Sequence, residues 1–193
     1  MLNKKTDHPK GSKKLIGAWT IYDWANSVYS LVISSAIFPK NTKGRELDPL
    51  ARVALWSEGK DYAHGTGHVV GFVLSVHEGP ISISKSSQKI IKPGMIISNE
   101  PGYYKDNHYG IRIENLEIVS EKRIKGSNAD FLCFENLTRV PLETKLIDKS
   151  MLTNFEIDWV NNYHKKVYED LSKLINREDR DLIDFLKIKT EEI

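Results

Sequence analysis

Apolar and polar positions divide the chain near residue 40. Residues 1–14 are polar and basic, with Lys4, Lys5, Lys10, Lys13 and Lys14, whereas residues 15–39 (LIGAWTIYDWANSVYSLVISSAIFP) are mostly apolar. Farther on, Leu47, Leu50, Ala51, Ala54 and Leu55 recur at helical spacing, which predicts an amphipathic helix over 46–58 with Gly59 as its stop. Residues 61–120 carry short apolar runs interrupted by Gly and Pro, the pattern of strands and turns. Within them, Lys92-Pro93-Gly94 predicts a turn into a strand at Met95–Asn99. A polar loop is expected at 121–130. Thr153-Asn154-Phe155-Glu156 has the form of a capping box. It opens a helix whose apolar stripe is Phe155, Trp159, Tyr163, Val167, Leu171 and Leu174. A short last helix is expected around 178–188. There is no sequence repeat and no low-complexity segment.

The stretch 15–39 has the length of a membrane span, for which about 20 apolar residues suffice, and the lysines before it would favour a cytoplasmic N-terminus. Asp23 and Asn26 oppose that reading, because a charge inside a bilayer is costly unless paired; a buried helix is the alternative. The formal net charge of +2 gives no electrostatic reason to expect a nucleic-acid partner. The single cysteine, Cys133, excludes an intramolecular disulfide framework and a Cys-rich zinc site, and fits a reducing compartment. Any metal must then be held by His and carboxylate, donors that suit Mn, Co, Zn or Fe.

Three features bear on chemistry. Three of the six histidines, His64, His68 and His77, fall close together around His64-Gly65-Thr66-Gly67-His68. In a strand, residues four apart share a face, so His64 and His68 can serve one cavity; a glycine-rich turn with incidental surface histidines is the alternative. Glu100 ends the apolar strand at 95–99, where an exposed strand-end carboxylate is the ordinary case. Ile111-Arg112-Ile113-Glu114 alternates, placing Arg112 and Glu114 on one face. That face is either solvated or turned into a cavity, where the carboxylate needs a cation to be tolerated. Histidines and carboxylates on neighbouring strands make a plausible di-metal hydrolase site.

The blocks HGTGHVVGFVLSVHEGP, PGMIISNEPGYY and YGIRIENLEIV, in this order and spacing, resemble the signature blocks of Xaa-Pro aminopeptidases of the creatinase-like metallopeptidase family. The resemblance spans residues 38–193, including a downstream segment similar to the C-terminal extension of the longer, cytosolic-type members. It implies an α+β chain: the C-terminal half of a pita-bread fold with a helical extension. It also implies two divalent metals, most commonly Mn²⁺, with His68, Glu100 and Glu114 among five ligands. His64 and His77 would position substrate and stabilise the tetrahedral intermediate, and Arg112 would support the site. In the implied reaction, a water acidified by the metals attacks the first peptide carbonyl and Glu100 handles its proton. The substrate is a peptide with proline in second position.

The sequence also departs from that family. Both aspartate ligands are missing, the first in a DSGGQY-like block and the second about ten residues later; Asp7, Asp23, Asp48 and Asp61 lack their context and spacing. Val69 stands where the family has Gly, which would cost stability if the position needs positive φ. Residues 15–39 resemble the first membrane span of major facilitator superfamily transporters with a YDWANS-type opening. The expected organisation is therefore a basic and transporter-like segment (1–39), a partial metallopeptidase domain (40–122) and an extension (123–193). The expected protein is a cytoplasmic Xaa-Pro aminopeptidase-type chain that binds metal weakly and has little activity. It would form a homodimer through the extension, with membrane association through 15–39 possible. A non-catalytic remnant or binding module and a membrane-anchored transporter-derived fusion are the alternatives.

Overall fold

The computed structural model describes residues 33–73 and 75–193. Eight strands are described: β1 Ile37–Pro39, β2 Gly67–His68, β3 Ser82–Ile83, β4 Ile96–Asn99, β5 Gly102–Lys105, β6 Tyr109–Arg112, β7 Asn115–Lys122 and β8 Phe131–Asn136. Three α-helices accompany them: α1 Gly44–Ser57, α2 Asn154–Leu171 and α3 Arg180–Lys189. The main sheet is antiparallel, in the order β1-β8-β7-β4, and β2-β3 and β5-β6 form two short hairpin ladders. An isolated bridge from Val69 to Ile97 ties the β2 segment to β4. The main sheet takes β1 from before residue 40, β4 and β7 from the middle and β8 from after residue 123, so it joins all three expected segments.

One face of that sheet makes the core. Phe38, Ile97, Val119, Leu132 and Phe134 pack with Leu47 and Ala51 of α1 and with Ile83 and Ile91. The helix lies where the spacing of its apolar residues predicts, and Gly59 ends it with φ +65, a value that favours glycine. Leu50, Val53 and Trp56 remain on its exposed side. Farther along, Thr153 and Glu156 form the expected capping box. The buried stripe of α2 is rotated from the predicted one: Glu156, Val160, Tyr163, His164 and Val167 face inward, while Phe155 and Leu174 are exposed. The cap explains the rotation. Glu156 turns inward to accept from the Thr153 amide and hydroxyl (2.7 and 2.8 Å), which swings the preceding Phe155 to solvent. Val69 is not among the residues with positive φ, so the strain expected from replacing glycine there does not arise.

The same core face ends in polar residues. Asn115 and Glu117 are buried on β7, opposite Asn99 and Ile97 of β4, and Glu117 pairs with Asn136 of β8. The Glu117 side chain is 1% exposed. It accepts from the Ser34 hydroxyl and from Asn136 Nδ2 at 3.3 Å. Burial pushes the carboxyl up to about 7, only partly offset by the hydrogen bonds from Ser34, Asn99 and Asn136. The unfolded chain ionises near the usual 4.5. The contribution of this group to stability is therefore complete below about pH 4.5 and is lost as pH rises through about 7, a change on the order of 3 kcal/mol. Glu117→Gln keeps a neutral side chain of the same shape. Thermal melts from pH 5 to 8 are expected to show the native chain losing stability relative to this variant; parallel pH profiles would refute the assignment.

Candidate active site

The loop between α1 and β2 is held by one turn of the helix. The Arg52 guanidinium is 2% exposed and uses all five of its N–H donors. Nε and Nη2 donate to Asp48 (2.7 and 3.1 Å), Nη1 to Asp61 Oδ1 and the Tyr62 carbonyl (both 2.7 Å), and Nη2 also to the His64 carbonyl (2.7 Å). The Tyr62 ring stacks over the guanidinium, with Cζ 3.8 Å from the ring centroid. Thr66 donates to Asp48 Oδ1 (2.7 Å) and shares a hydrogen bond with the Tyr62 hydroxyl (2.5 Å). Asp48 and Asp61, the two upstream aspartates that lie among the described residues, are thus committed to Arg52. Asp7 and Asp23 lie outside the described residues.

Hydrogen bonding sets the histidine tautomers. His64 Nδ1 lies 2.7 Å from the Gly65 carbonyl, which can only accept, so Nδ1 carries the proton. Its Nε2 lone pair then faces the Tyr104 hydroxyl at 2.8 Å, and Tyr104 in turn accepts from Arg112 Nε at 3.0 Å. Arg112 Nη1 continues to Glu100 Oε2 at 2.8 Å and lies 3.9 Å from Glu114 Oε2. A directed chain therefore runs from the arginine through Tyr104 to His64. Tyr104 escaped the sequence reading, although it stands in the EPGYY block; its partners lie 40 and 8 residues away, and no periodicity reports them.

His68 presents a sharper constraint. Its Nδ1 is 3.1 Å from the Val69 carbonyl and so carries the proton. Its Nε2 lies 3.1 Å from Glu100 Oε1. A neutral imidazole in this tautomer sets a lone pair against a carboxylate oxygen, an arrangement that needs a proton or a cation between them. The 3.1 Å separation is compatible with either an N–H···O bond or two donors on one small cation. The Nδ1–H to backbone carbonyl bond is the usual support of a ligating histidine. Glu100 is buried at the end of β4; its amide donates to the Thr66 carbonyl (2.8 Å) and its Oε1 accepts from Ser98 (3.0 Å). The His77 ring lies 4.1 Å, centroid to centroid, from His68, on an exposed turn whose Phe72 is 99% exposed.

Six predicted residues are thus placed as follows. His68, Glu100 and His77 come together, Arg112 joins Glu100 to Glu114, and His64 stands at the far end of the Tyr104 link. Among the described residues no group of three His, Cys, Asp or Glu side chains is arranged to hold a metal. The direct convergence stops at His68 and Glu100, because Glu114, 43% exposed in its side chain, is turned toward Arg112. The donor types nevertheless fit a divalent cation.

A profile of metallopeptidase family M24 matches residues 12–121, and one of the C-terminal region of peptidase M24 matches residues 130–193. The chain is 46% identical over 168 residues to a probable Xaa-Pro aminopeptidase P of Coprinopsis cinerea, covering 84% of this chain and 27% of that protein. Aminopeptidase P2 of Arabidopsis thaliana is 48% identical over 149 residues, covering 75% and 21%. The crystal structure of an X-prolyl aminopeptidase from Caenorhabditis elegans, described as a cytosolic enzyme with a di-nuclear active site, superposes with a TM-score of 0.85 at 35% identity, covering 97% of this chain and 30% of that one. The chain thus spans under a third of the length of these relatives. Its fold is the C-terminal half of a pita-bread domain with a helical extension. The transporter-like reading of 15–39 finds no support. Residues 15–32 lie outside the described residues, the family match runs through the stretch, and Ile37–Pro39 is a strand of the main sheet. Among the described residues no helix is long and apolar enough to cross a membrane.

Gly67 governs how closely β2 approaches β4. A Cβ there would stand 1.9 Å from the Ser98 carbonyl oxygen, in rigid backbone. Gly67→Ala is expected to cost about 1–3 kcal/mol in urea unfolding and to shift the His68 imidazole resonances; an unchanged midpoint would show that the approach is looser than described.

Proposed function

Because the chain belongs to metallopeptidase family M24, we propose that it carries the metal-binding strands of a metal-dependent Xaa-Pro aminopeptidase, which releases an N-terminal residue preceding proline. The observation that carries this reading is the approach of His68 Nε2 to Glu100 Oε1 at 3.1 Å. His68 and Glu100 would hold the cation, and Glu114 would join them by turning from Arg112. Mn²⁺ is the proposed ion, matching one imidazole and two carboxylates. A divalent cation at this point supplies Lewis-acid polarisation of a carbonyl and acidifies water.

The remaining roles belong to the protein's own groups. Arg112 offsets the negative charge of the two glutamates, 2.8 Å from Glu100 Oε2 and 3.9 Å from Glu114 Oε2. Glu100 would handle a proton, a role supported by its one oxygen toward His68 and its other on Arg112. His64 keeps Nε2 as an acceptor for the Tyr104 hydroxyl, so this pair can orient a substrate group by exchanging one hydrogen bond. His77, on its exposed turn, is the residue a peptide meets from outside. A homodimer through the extension is supported by Leu182, Phe185 and Ile188, exposed along α3. A cytoplasmic location is supported by the lone cysteine and by the cytosolic relative.

A second reading, a non-catalytic binding module, is favoured by the convergence of only two ligands. Hydrolysis of an Xaa-Pro peptide by the full chain, with and without Mn²⁺, separates the two. The catalytic reading expects slow, Mn²⁺-dependent release of the first residue, reduced about 100-fold or more in Glu100→Gln. A folded chain that binds the peptide without cleaving it would assign the module instead.

A further inference from the structure

Arg52, a cation buried to 2% exposure, bonds to none of the six predicted site residues through their side chains. Arg52 is buried against the inner side of the 61–66 loop, and the carbonyls on both sides of Ala63, those of Tyr62 and His64, accept from the two ends of its fork. The backbone is therefore wrapped around a planar group at two points two residues apart. The loop's next polar side chain, Thr66, is tied to Asp48, the carboxylate that also holds Arg52 in place. From Thr66 the same frame reaches the metal-ligand candidate Glu100, whose amide donates to the Thr66 carbonyl.

We propose that the Asp48–Arg52 pair of α1 is the positioning device of this site: by gripping the Tyr62 and His64 carbonyls and Thr66, it holds His64 with its Nδ1–H on Gly65 and its Nε2 lone pair on Tyr104, and sets the depth of Glu100. The assignment of His64 and Glu100 to a reacting site rests on the function proposed above; the positioning itself does not. A core-filling role alone would ask only for volume and one counter-charge. The arrangement here asks for a rigid fork with five donors, which lysine, a point charge with three, cannot supply. Asp61, bonded to Arg52 and Lys85, stays ionised: burial would raise its pKa, but those two hydrogen bonds hold it well below the usual carboxylate range. Tyr62 is pushed up to about 12, chiefly by burial, so its hydroxyl remains a neutral partner for Thr66.

The test reads imidazole chemistry rather than turnover. Long-range ¹H–¹⁵N spectra of the full chain, without metal or peptide and at about pH 8 where free imidazole is neutral, report which ring nitrogen of His64 is protonated. The native chain is expected to show the Nδ1–H form. In Arg52→Lys the backbone grip is lost, and His64 is expected to give averaged nitrogen shifts while the sheet amides and circular dichroism are retained. Asp61→Asn, which leaves Arg52 on Asp48 and both carbonyls, is expected to keep the native His64 signature. Should Arg52→Lys fail to fold, Thr66→Val decides: it cuts only the Asp48–Thr66–Tyr62 link, and the Glu100 amide is expected to exchange with solvent about tenfold faster. An Nε2–H form in the native chain, a folded Arg52→Lys with unchanged His64, or Thr66→Val with native exchange at Glu100 would each overturn the proposal. A chain that binds no metal and cleaves no peptide would remove the proposed function and leave this result standing.

Discussion

Burying the charges of Asp48 and Arg52 is the constraint from which the rest of the site follows. A guanidinium and a carboxylate withdrawn from water each cost several kcal/mol, and Coulomb attraction alone seldom repays it. Here the cost is offset because every N–H of Arg52 finds an acceptor and Asp48 also accepts from Thr66. Two of those acceptors are loop carbonyls, so satisfying the ion pair and shaping the loop are one event. The helix that carries the pair is itself fixed by Leu47 and Ala51 in the main core. Sheet, helix and histidine loop are thereby linked in series.

The second constraint is electrostatic and acts where β2 meets β4. Gly67 lets the two backbones approach, the His68 amide donates to Ser98 Oγ at 3.0 Å, and Ser98 donates to Glu100. The consequence is that His68 Nε2 is held against a carboxylate oxygen, with Arg112 balancing the charge from the other side. Such an arrangement is expensive unless a proton or a cation shares it. The local geometry admits either occupant, and membership of a metallopeptidase family favours the cation.

Elements governed by short-range rules were legible in the sequence. α1, the stop at Gly59, the turn at Lys92-Pro93-Gly94 and the Thr153–Glu156 cap depend on residues within one or two turns of each other. The histidines and glutamates were legible as chemistry, and the signature blocks placed them in a family. What the pattern could not report were inversions and long-range partners. In Asn115–Val119 the apolar Leu116 and Ile118 are only half-buried while Asn115 and Glu117 lie inside, because Ser34 and Asn136 receive Glu117. Phe155 looked like the head of an apolar stripe until the cap turned Glu156 inward. Nothing in the helical pattern singles out Arg52, whose partners are carbonyls 10 and 12 residues away.

The central claim is that His68 and Glu100 share a cation. Titration of the full chain with Mn²⁺, followed by electron paramagnetic resonance and compared with His68→Ala, tests it most directly. The account predicts saturable binding of Mn²⁺ by the native chain and its loss when the imidazole is removed. A folded native chain that leaves Mn²⁺ free in solution, or a His68→Ala variant that binds it as well as the native chain, would contradict it.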